Sequence, residues 1–232
     1  MLPNWPLRVA AEYLVIAACI LAAAGSPWLF VPAAWLAGIR LHALAIIGHW
    51  ASHGVAPRRL EVFCFAPIGV DAVKYRSFHG VHHYAVGQEI DPEAQIVGRF
   101  SKRWASVRRH DSLLDLLGLH LDEGIAIMRH VASPKSLALA LAVNIAALAM
   151  FGVAALALPV GLGTGFIFAH RLRARTEHDH IHQPGKTFVQ RVAPAWWKRA
   201  IYLPHYTWLH AQHHYAPVDS VHSLSYLKME NP

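Results

Sequence analysis

Residues 9–50 decide the fold of this chain, and their sequence is VAAEYLVIAACILAAAGSPWLFVPAAWLAGIRLHALAIIGHW. Two apolar segments, 9–24 and 28–50, lie on either side of the turn-forming sequence Gly25-Ser26-Pro27. A helix needs about 20 apolar residues to cross the hydrocarbon core of a bilayer. The stretch therefore predicts two membrane-spanning helices joined by a very short turn.

A second hairpin of the same kind is predicted later in the chain. Residues 137–158 form a third apolar segment, and a fourth, shorter segment runs to about His170. The turn between them is predicted from four closely spaced helix breakers, Pro159, Gly161, Gly163 and Gly165. Between the hairpins, 60–70 is too short to span a bilayer and 112–128 is amphipathic, so both predict helices on the membrane surface.

The basic residues indicate how these helices are oriented. Of 21 Lys and Arg, one is Arg8, eleven lie in 58–135 and eight lie in 171–228, so that only Arg40 falls inside an apolar segment. Cytoplasmic segments of membrane proteins carry an excess of Lys and Arg. We therefore expect both termini and the region between the hairpins to face the cytoplasm, in an inner or plasma membrane.

Composition points to the same class of protein. The 232 residues are 55% hydrophobic and yet carry a formal charge of +7, which is typical of a membrane protein with basic cytoplasmic faces. The chain has no nucleic-acid-binding motif, so we expect anionic lipid headgroups and no nucleic acid as the partner of that charge. Two cysteines provide neither a disulfide framework nor a zinc pattern. The prediction is one all-α membrane domain over 1–232, with four transmembrane helices in two hairpins and a cytoplasmic helical cap.

Three histidine clusters lie outside the apolar segments, on the side predicted to be cytoplasmic. They are His49-Trp50-Ala51-Ser52-His53, His79-Gly80-Val81-His82-His83 and His210-Ala211-Gln212-His213-His214. Residues three and four apart share one face of a helix, so each cluster directs two or three imidazoles the same way. With 18 His in the whole chain, chance is a poor explanation for two copies of His-x-x-His-His.

The clusters predict a site for two metal ions. Neutral imidazole is a ligand for iron, zinc, copper or nickel. Eight imidazoles are more than one tetrahedral zinc ion takes, which favours two metals side by side. His120, in contrast, has no partner at ligand spacing, and we expect its replacement to be nearly silent.

The order of these motifs resembles the membrane fatty acid desaturase and hydroxylase superfamily. The chain contains one His-x-x-x-His, two His-x-x-His-His and an intervening Arg-x-x-x-Glu-His that ends at His178. The resemblance extends from about residue 40 to 227, nearly the whole chain. It implies a non-haem di-iron centre held by histidines at the cytoplasmic face of four membrane helices.

The resemblance also implies which residues form that centre. By matching position, the ligands to two Fe ions would be His49, His53, His79, His82, His83, His178, His210, His213 and His214. His180 and His182 follow so closely that either could replace His178 in this set. Asp91 and Glu177 would accept hydrogen bonds from ligand imidazoles and so fix their tautomers.

Arg40 is the one basic residue predicted to lie deep in the bilayer, with His42 beside it. A charged residue inside a membrane segment is by default a functional candidate, for instance facing a substrate channel. The alternative is an ion pair inside the helix bundle, and we favour it.

The predicted function is removal of hydrogen from a lipid chain by an O₂-dependent di-iron oxidoreductase. Fatty acyl desaturation is the first choice, and hydroxylation or ketolation of a lipid or carotenoid is the alternative, because both begin with the same abstraction. Electrons would come from a separate ferredoxin-, rubredoxin- or cytochrome-type donor. A metal transporter or metal-binding membrane protein is the rival from another class, but it would place ligands near the bilayer midplane. A membrane haem protein would need paired histidines on facing spans.

Overall fold

The computed structural model describes residues 3–107, 112–178, 189 and 195–215, and every regular element in those ranges is helical. The α-helices are α1 (Trp5–Gly25), α2 (Pro27–Ser52), α3 (Leu60–Phe65), α4 (Ala72–Tyr84), α5 (Pro92–Ala105), α6 (Leu113–Val131), α7 (Pro134–Phe151), α8 (Ala157–Gly161), α9 (Ile167–Glu177), α10 (Trp196–Ile201) and α11 (His210–Tyr215). Shorter 3₁₀ turns cover Ala66–Ile68, Gly152–Leu156 and Thr207–Leu209, and a π-helical turn, Leu162–Phe166, joins α8 to α9.

The first two apolar segments form α1 and α2, which are separated only by Ser26. That residue has extended backbone dihedrals, and Pro27 at the first position of α2 lacks the amide hydrogen that a helix start leaves unpaired. The two helices pack against each other along their length and form the main hydrophobic core. Glu12 of α1 thereby reaches Arg40 of α2, at 3.5 Å between carboxylate and guanidinium atoms.

The reversal after the third apolar segment is not where the sequence predicted it. Helix α7 ends at Phe151, and Gly152 adopts φ 60°, a conformation in which a side chain is strained. Pro159 and Gly161 lie inside α8, and Gly163 and Gly165 lie in the π-helical turn. The prediction of a turn at 159–165 was therefore wrong by about two helical turns.

The glycines form a helix–helix contact instead. Small residues recur every fourth position from α8 into α9, at Ala157, Gly161, Gly165 and Ala169. A Cβ on Gly161 would lie 2.3 Å from the carbonyl oxygen of Ala34, and one on Gly165 would lie 2.0 Å from that of Trp35. Spacing of this kind lets two membrane helices approach to backbone contact. This close contact holds α8 and α9 parallel to α2.

Within the part of the chain that the structure describes, three helical stretches are long and apolar enough to cross a membrane, namely Trp5–Gly25, Pro27–Ser52 and Pro134–Glu177. The third contains the reversal at Gly152. Both of its ends lie near the C-terminal end of α2. At its start the Ser136 hydroxyl donates to the Gly69 carbonyl at 2.8 Å, and at its end Glu177 lies 3.6 Å from His210.

Helices α3 to α6 cover that end of the bundle. Their starts carry the expected caps: Asp71 accepts from two amides at the start of α4, Asp91 does the same for α5, and Ser112 forms a capping box with Asp115 on α6. Ser133 likewise caps α7, whose first residue is Pro134. The surface helices predicted at 60–70 and 112–128 correspond to α3 with its following turn and to α6.

Candidate metal centre

Four segments bring the nine predicted histidine ligands together. His49 and His53 lie at the end of α2, and His178 directly follows α9. Helices α4 and α11 contribute three each, namely His79, His82, His83, His210, His213 and His214. In both helices the spacing of three and four residues places the imidazoles on one face, as the sequence predicted.

The imidazoles form two groups, each able to hold a metal ion. In each group the candidate ligand atoms lie within 4.8 Å of one another. Group one contains His49, His53, His79 and His213, and group two contains His82, His178, His210 and His214. Every member is buried except His53 and His214, which are partly exposed.

His83 lies between the groups. Its Nε2 atom is 2.9 Å from Nε2 of His79 and 3.1 Å from Nε2 of His213, both in group one. Its ring stacks on that of His214 in group two, with centroids 4.3 Å apart. The ninth histidine is therefore positioned as a further ligand of group one.

Helices α4 and α11 each serve both groups. On α4, His79 belongs to group one and His82 to group two; on α11, His213 belongs to group one and His210 to group two. Two rigid helices thus fix the separation of the groups, because neither group can move without the other.

The donor set fits metal binding. Nε2 of His49 in group one and Nε2 of His82 in group two are buried, and within the described residues neither has a hydrogen-bond partner. Burial, followed by the charge of neighbouring imidazoles, lowers the pKa of His53 to about 3, of His83 to about 4 and of His214 to about 2. These side chains are accordingly neutral at physiological pH, and neutral imidazole is the form that binds metals.

The outer nitrogens of four imidazoles face polar side chains. Nδ1 of His82 donates to Asp91 at 2.8 Å, and Nδ1 of His49 lies 3.1 Å from the Tyr75 hydroxyl. Nδ1 of His79 lies 3.6 Å from Glu93, and Nδ1 of His210 lies 3.6 Å from Glu177. The hydrogen bond to Asp91 fixes the tautomer of His82 and directs its opposite nitrogen, Nε2, into group two; the two 3.6 Å contacts are longer than hydrogen bonds.

Asp91 connects the start of a helix to this site. Its Oδ1 accepts the amides of Glu93 and Ala94, each at 3.0 Å, and caps α5. Its Oδ2 accepts the Gly87 amide at 2.9 Å as well as His82. Burial opposes a charge on His82, but Glu93 and Asp91 outweigh it and raise the pKa of that imidazole. The carboxylate therefore keeps the hydrogen on Nδ1 of His82.

Arg173 joins the carboxylates of the two groups. Its guanidinium lies 3.7 Å from Glu93, which faces group one, and 3.5 Å from Glu177, which faces group two. All three side chains are buried. The guanidinium thus lies between the acidic side chains that face the two groups.

An apolar cavity of about 320 Å³ reaches group one. Its wall comes from α2, α4, α5, α6 and the α8–α9 segment, and most of its lining side chains are aliphatic or aromatic. His49 lines the end nearest the histidines, together with Tyr75, Glu93 and Arg173. A long apolar molecule in this cavity would place a carbon atom beside group one.

The remaining candidate site residues from the sequence lie in different places. Arg40 pairs with Glu12 and donates to the Ala200 carbonyl at 2.5 Å, so it is held inside the bundle and does not line the cavity. His42 does line the cavity. His180 and His182 lie outside the described residues, so His178 is the one of the three that the structure places in group two.

Sequence reasoning missed Tyr75 and the bridging role of Arg173. Both could have been found from helical spacing. Tyr75 lies four residues before His79 on α4, and Arg173 lies four residues before Glu177 on α9. Residues at that spacing lie on the same helix face, so each points toward the histidines.

The sequence model of the family described as fatty acid desaturase matches residues 26–230. The chain belongs to the fatty acid desaturase family. Membership indicates an oxidoreductase of lipids in a membrane, consistent with the three helical stretches long enough to span one. No curated protein and no solved structure matches the chain. Helix α1, before residue 26, lies outside the part that the chain shares with the family model.

Proposed function

We propose that this desaturase-family protein is an O₂-dependent di-iron enzyme that removes hydrogen from a lipid chain, with fatty acyl desaturation as the first choice. The observation that carries the proposal is the apolar cavity that ends at His49, a member of group one. Substrate and candidate metal ligands thus share one enclosed space.

The proposed ligands are the eight histidines of the two groups together with His83, with iron as the metal. Iron bound there would supply an oxidant made from O₂, which an unactivated C–H bond requires and which zinc cannot provide. Asp91 holds the His82 imidazole in one tautomer, and Tyr75 and Glu177 lie beside Nδ1 of His49 and His210. The aliphatic wall of the cavity binds the chain, orients it toward His49 and excludes water.

Hydroxylation or ketolation of a lipid or carotenoid is the second candidate. Desaturation and hydroxylation share the first hydrogen abstraction and differ in what happens to the carbon afterwards. The cavity is almost entirely apolar, as both substrate classes require. We propose a separate ferredoxin-, rubredoxin- or cytochrome-type protein as the source of electrons for either reaction.

A metal transporter is less compatible with this arrangement. His49 and His53 end α2, His178 follows α9, and the other ligands lie on α4 and α11. The two groups therefore lie at one end of the bundle, whereas a transport site would lie midway along the spans.

We further propose four membrane passes, in which α7 and the α8–α9 segment cross separately. The argument is that Pro134–Glu177 reverses at Gly152 and that both of its ends lie beside the cap. By the distribution of Lys and Arg, the cap faces the cytoplasm.

Metal analysis and product analysis together test the proposal. Protein purified from iron-replete cells should hold about two iron atoms per chain. Lipid and pigment profiles of a host expressing the protein should contain a new double bond, hydroxyl or keto group that is absent with His214→Ala and present with His130→Ala, an exposed histidine of α6. Stoichiometric zinc in an active preparation would refute the di-iron assignment.

A further inference from the structure

His42 is a polar side chain in a part of the cavity wall that is apolar apart from His170. It is 1% exposed, and within the described residues neither ring nitrogen has a hydrogen-bond partner. Its described ring contacts are with Phe166 and His170, at centroid distances of 5.6 and 6.3 Å. A buried polar group without a partner costs folding free energy, so its presence requires an explanation.

The position of His42 separates it from the metal site. It precedes His49 by seven residues on α2, or about 10 Å along the helix. The other polar residues near that end of the wall are engaged: Tyr75 with His49, and Arg173 with Glu93. His42 is in neither histidine group.

We propose that His42 recognises a neutral oxygen of the substrate, and that the substrate is an apolar lipid bearing a hydroxyl or carbonyl group about 10 Å from the oxidised carbon. This inference rests on the proposed function. Neutral imidazole has one hydrogen-bond donor and one acceptor nitrogen. A hydroxyl group can pair with either nitrogen, whereas a carbonyl oxygen can only accept from the donor nitrogen. A carboxylate is disfavoured, because Arg173, the cation of the cavity wall, already lies within ion-pair distance of Glu93 and Glu177.

The depth of His42 adds a constraint. It lies further from the cap end of α2 than His49 does, so the recognised oxygen would lie deeper in the helix bundle than the oxidised carbon. A charged head group would remain at the membrane surface near the cap. The recognised oxygen therefore belongs to the buried part of the lipid rather than to a polar head group.

Binding of two matched probes tests this proposal without turnover. Protein in lipid nanodiscs would be equilibrated with radiolabelled 1-hexadecanol or n-hexadecane, with empty discs subtracted. The preference for the alcohol is the ratio of its affinity to that of the alkane. This ratio should be roughly fivefold to tenfold lower in His42→Leu than in the native protein, because one hydrogen bond is lost. His42→Gln, which keeps a donor and an acceptor, should retain part of this preference. Ile125→Ala, elsewhere in the wall, should change binding of both probes equally.

The midpoint of thermal unfolding of the ligand-free protein distinguishes substrate recognition by His42 from a purely structural role of that residue. His42→Leu removes an unpartnered buried polar group and should melt at or above the native temperature. A lower midpoint, or an unchanged preference for the alcohol, would overturn the proposal. If both probes bind equally well to native protein, only this inference fails; if neither binds, the lipid cavity and the proposed function fail with it.

Discussion

At the scale of single residues, Asp91 has two tasks that can be separated experimentally. It caps α5 with one oxygen and holds His82 with the other. Asp71 caps α4 in the same way, but its described contacts include no histidine. The two aspartates are therefore matched as helix caps, whereas Asp91 is in addition fully buried, accepts the Gly87 amide and contacts a candidate ligand.

We expect Asp91→Asn to lower metal affinity or activity about 10- to 100-fold, because the amide no longer fixes the hydrogen on Nδ1 of His82. Asp71→Asn should leave both unchanged, since Asn caps helices nearly as well as Asp. Iron content and product formation are the measurements. Equal iron loss in the two variants would show that capping, not contact with His82, is what matters.

His120 is a residue for which the structure changes the expectation from sequence. Its Nδ1 accepts from Arg171 at 2.7 Å, and its Nε2 donates at 3.2 Å to the carbonyl of Thr164 in the π-helical turn. His120→Ala should therefore lower the free energy of unfolding by roughly 1–2 kcal/mol. His130→Ala, exposed on the same helix, should be within about 0.5 kcal/mol of native. Denaturant unfolding would measure both, and equal values would restore the original expectation.

At the scale of helices, the contact of α8 and α9 with α2 depends on individual glycines. A Cβ on Gly165 would meet the backbone of Trp35, whereas one on Gly163 would lie 3.6 Å from a side-chain atom of Leu121, an ordinary contact. Gly165→Ala should cost roughly 1–3 kcal/mol or more by overpacking, and Gly163→Ala should be tolerated. The midpoint of thermal unfolding is the readout, and a tolerated Gly165→Ala would contradict the close approach.

The same glycines show how far the sequence could predict the fold. Periodic histidines predicted the faces of α4 and α11, because ligand geometry demands one face. Glycine is ambiguous, because the absence of a side chain permits both a turn and close helix contact. Small residues recur every four positions at Ala157, Gly161, Gly165 and Ala169. This spacing is typical of a close contact between two helices. The true reversal, at Gly152, had no flanking proline to mark it.

The candidate site, like the fold, could be predicted from the sequence only in part. The nine histidines followed from spacing and from the family resemblance, and the structure brings them together. Tyr75 and Arg173 escaped notice because Tyr and Arg occur on many helix faces. The cavity was beyond prediction, since its wall joins residues from distant segments that only tertiary packing brings together.

At the scale of the whole molecule, the prediction to test is the membrane topology, that is, which parts of the chain face each side of the membrane. In a background with Cys19 and Cys64 replaced by Ala, a cysteine at Ser26 or at the exposed Val153 should react with an impermeant reagent from outside. A cysteine at the exposed Ser106 should react only after permeabilisation. These outcomes follow from the positive-inside distribution and from the reversal at Gly152. Labelling of Ser106→Cys from outside would refute the proposed orientation.

The division of α4 and α11 between the two histidine groups has a consequence for biosynthesis. Group one needs His213, and group two needs His210 and His214, all on α11. Neither group is complete while α11 is still inside the ribosome, even though α1 and α2 have long since emerged. We therefore expect neither group to be completed before α11 has emerged. A nascent chain stalled before His210 should be inserted in the membrane yet hold less iron than the full chain, because group two then retains only His82 and His178.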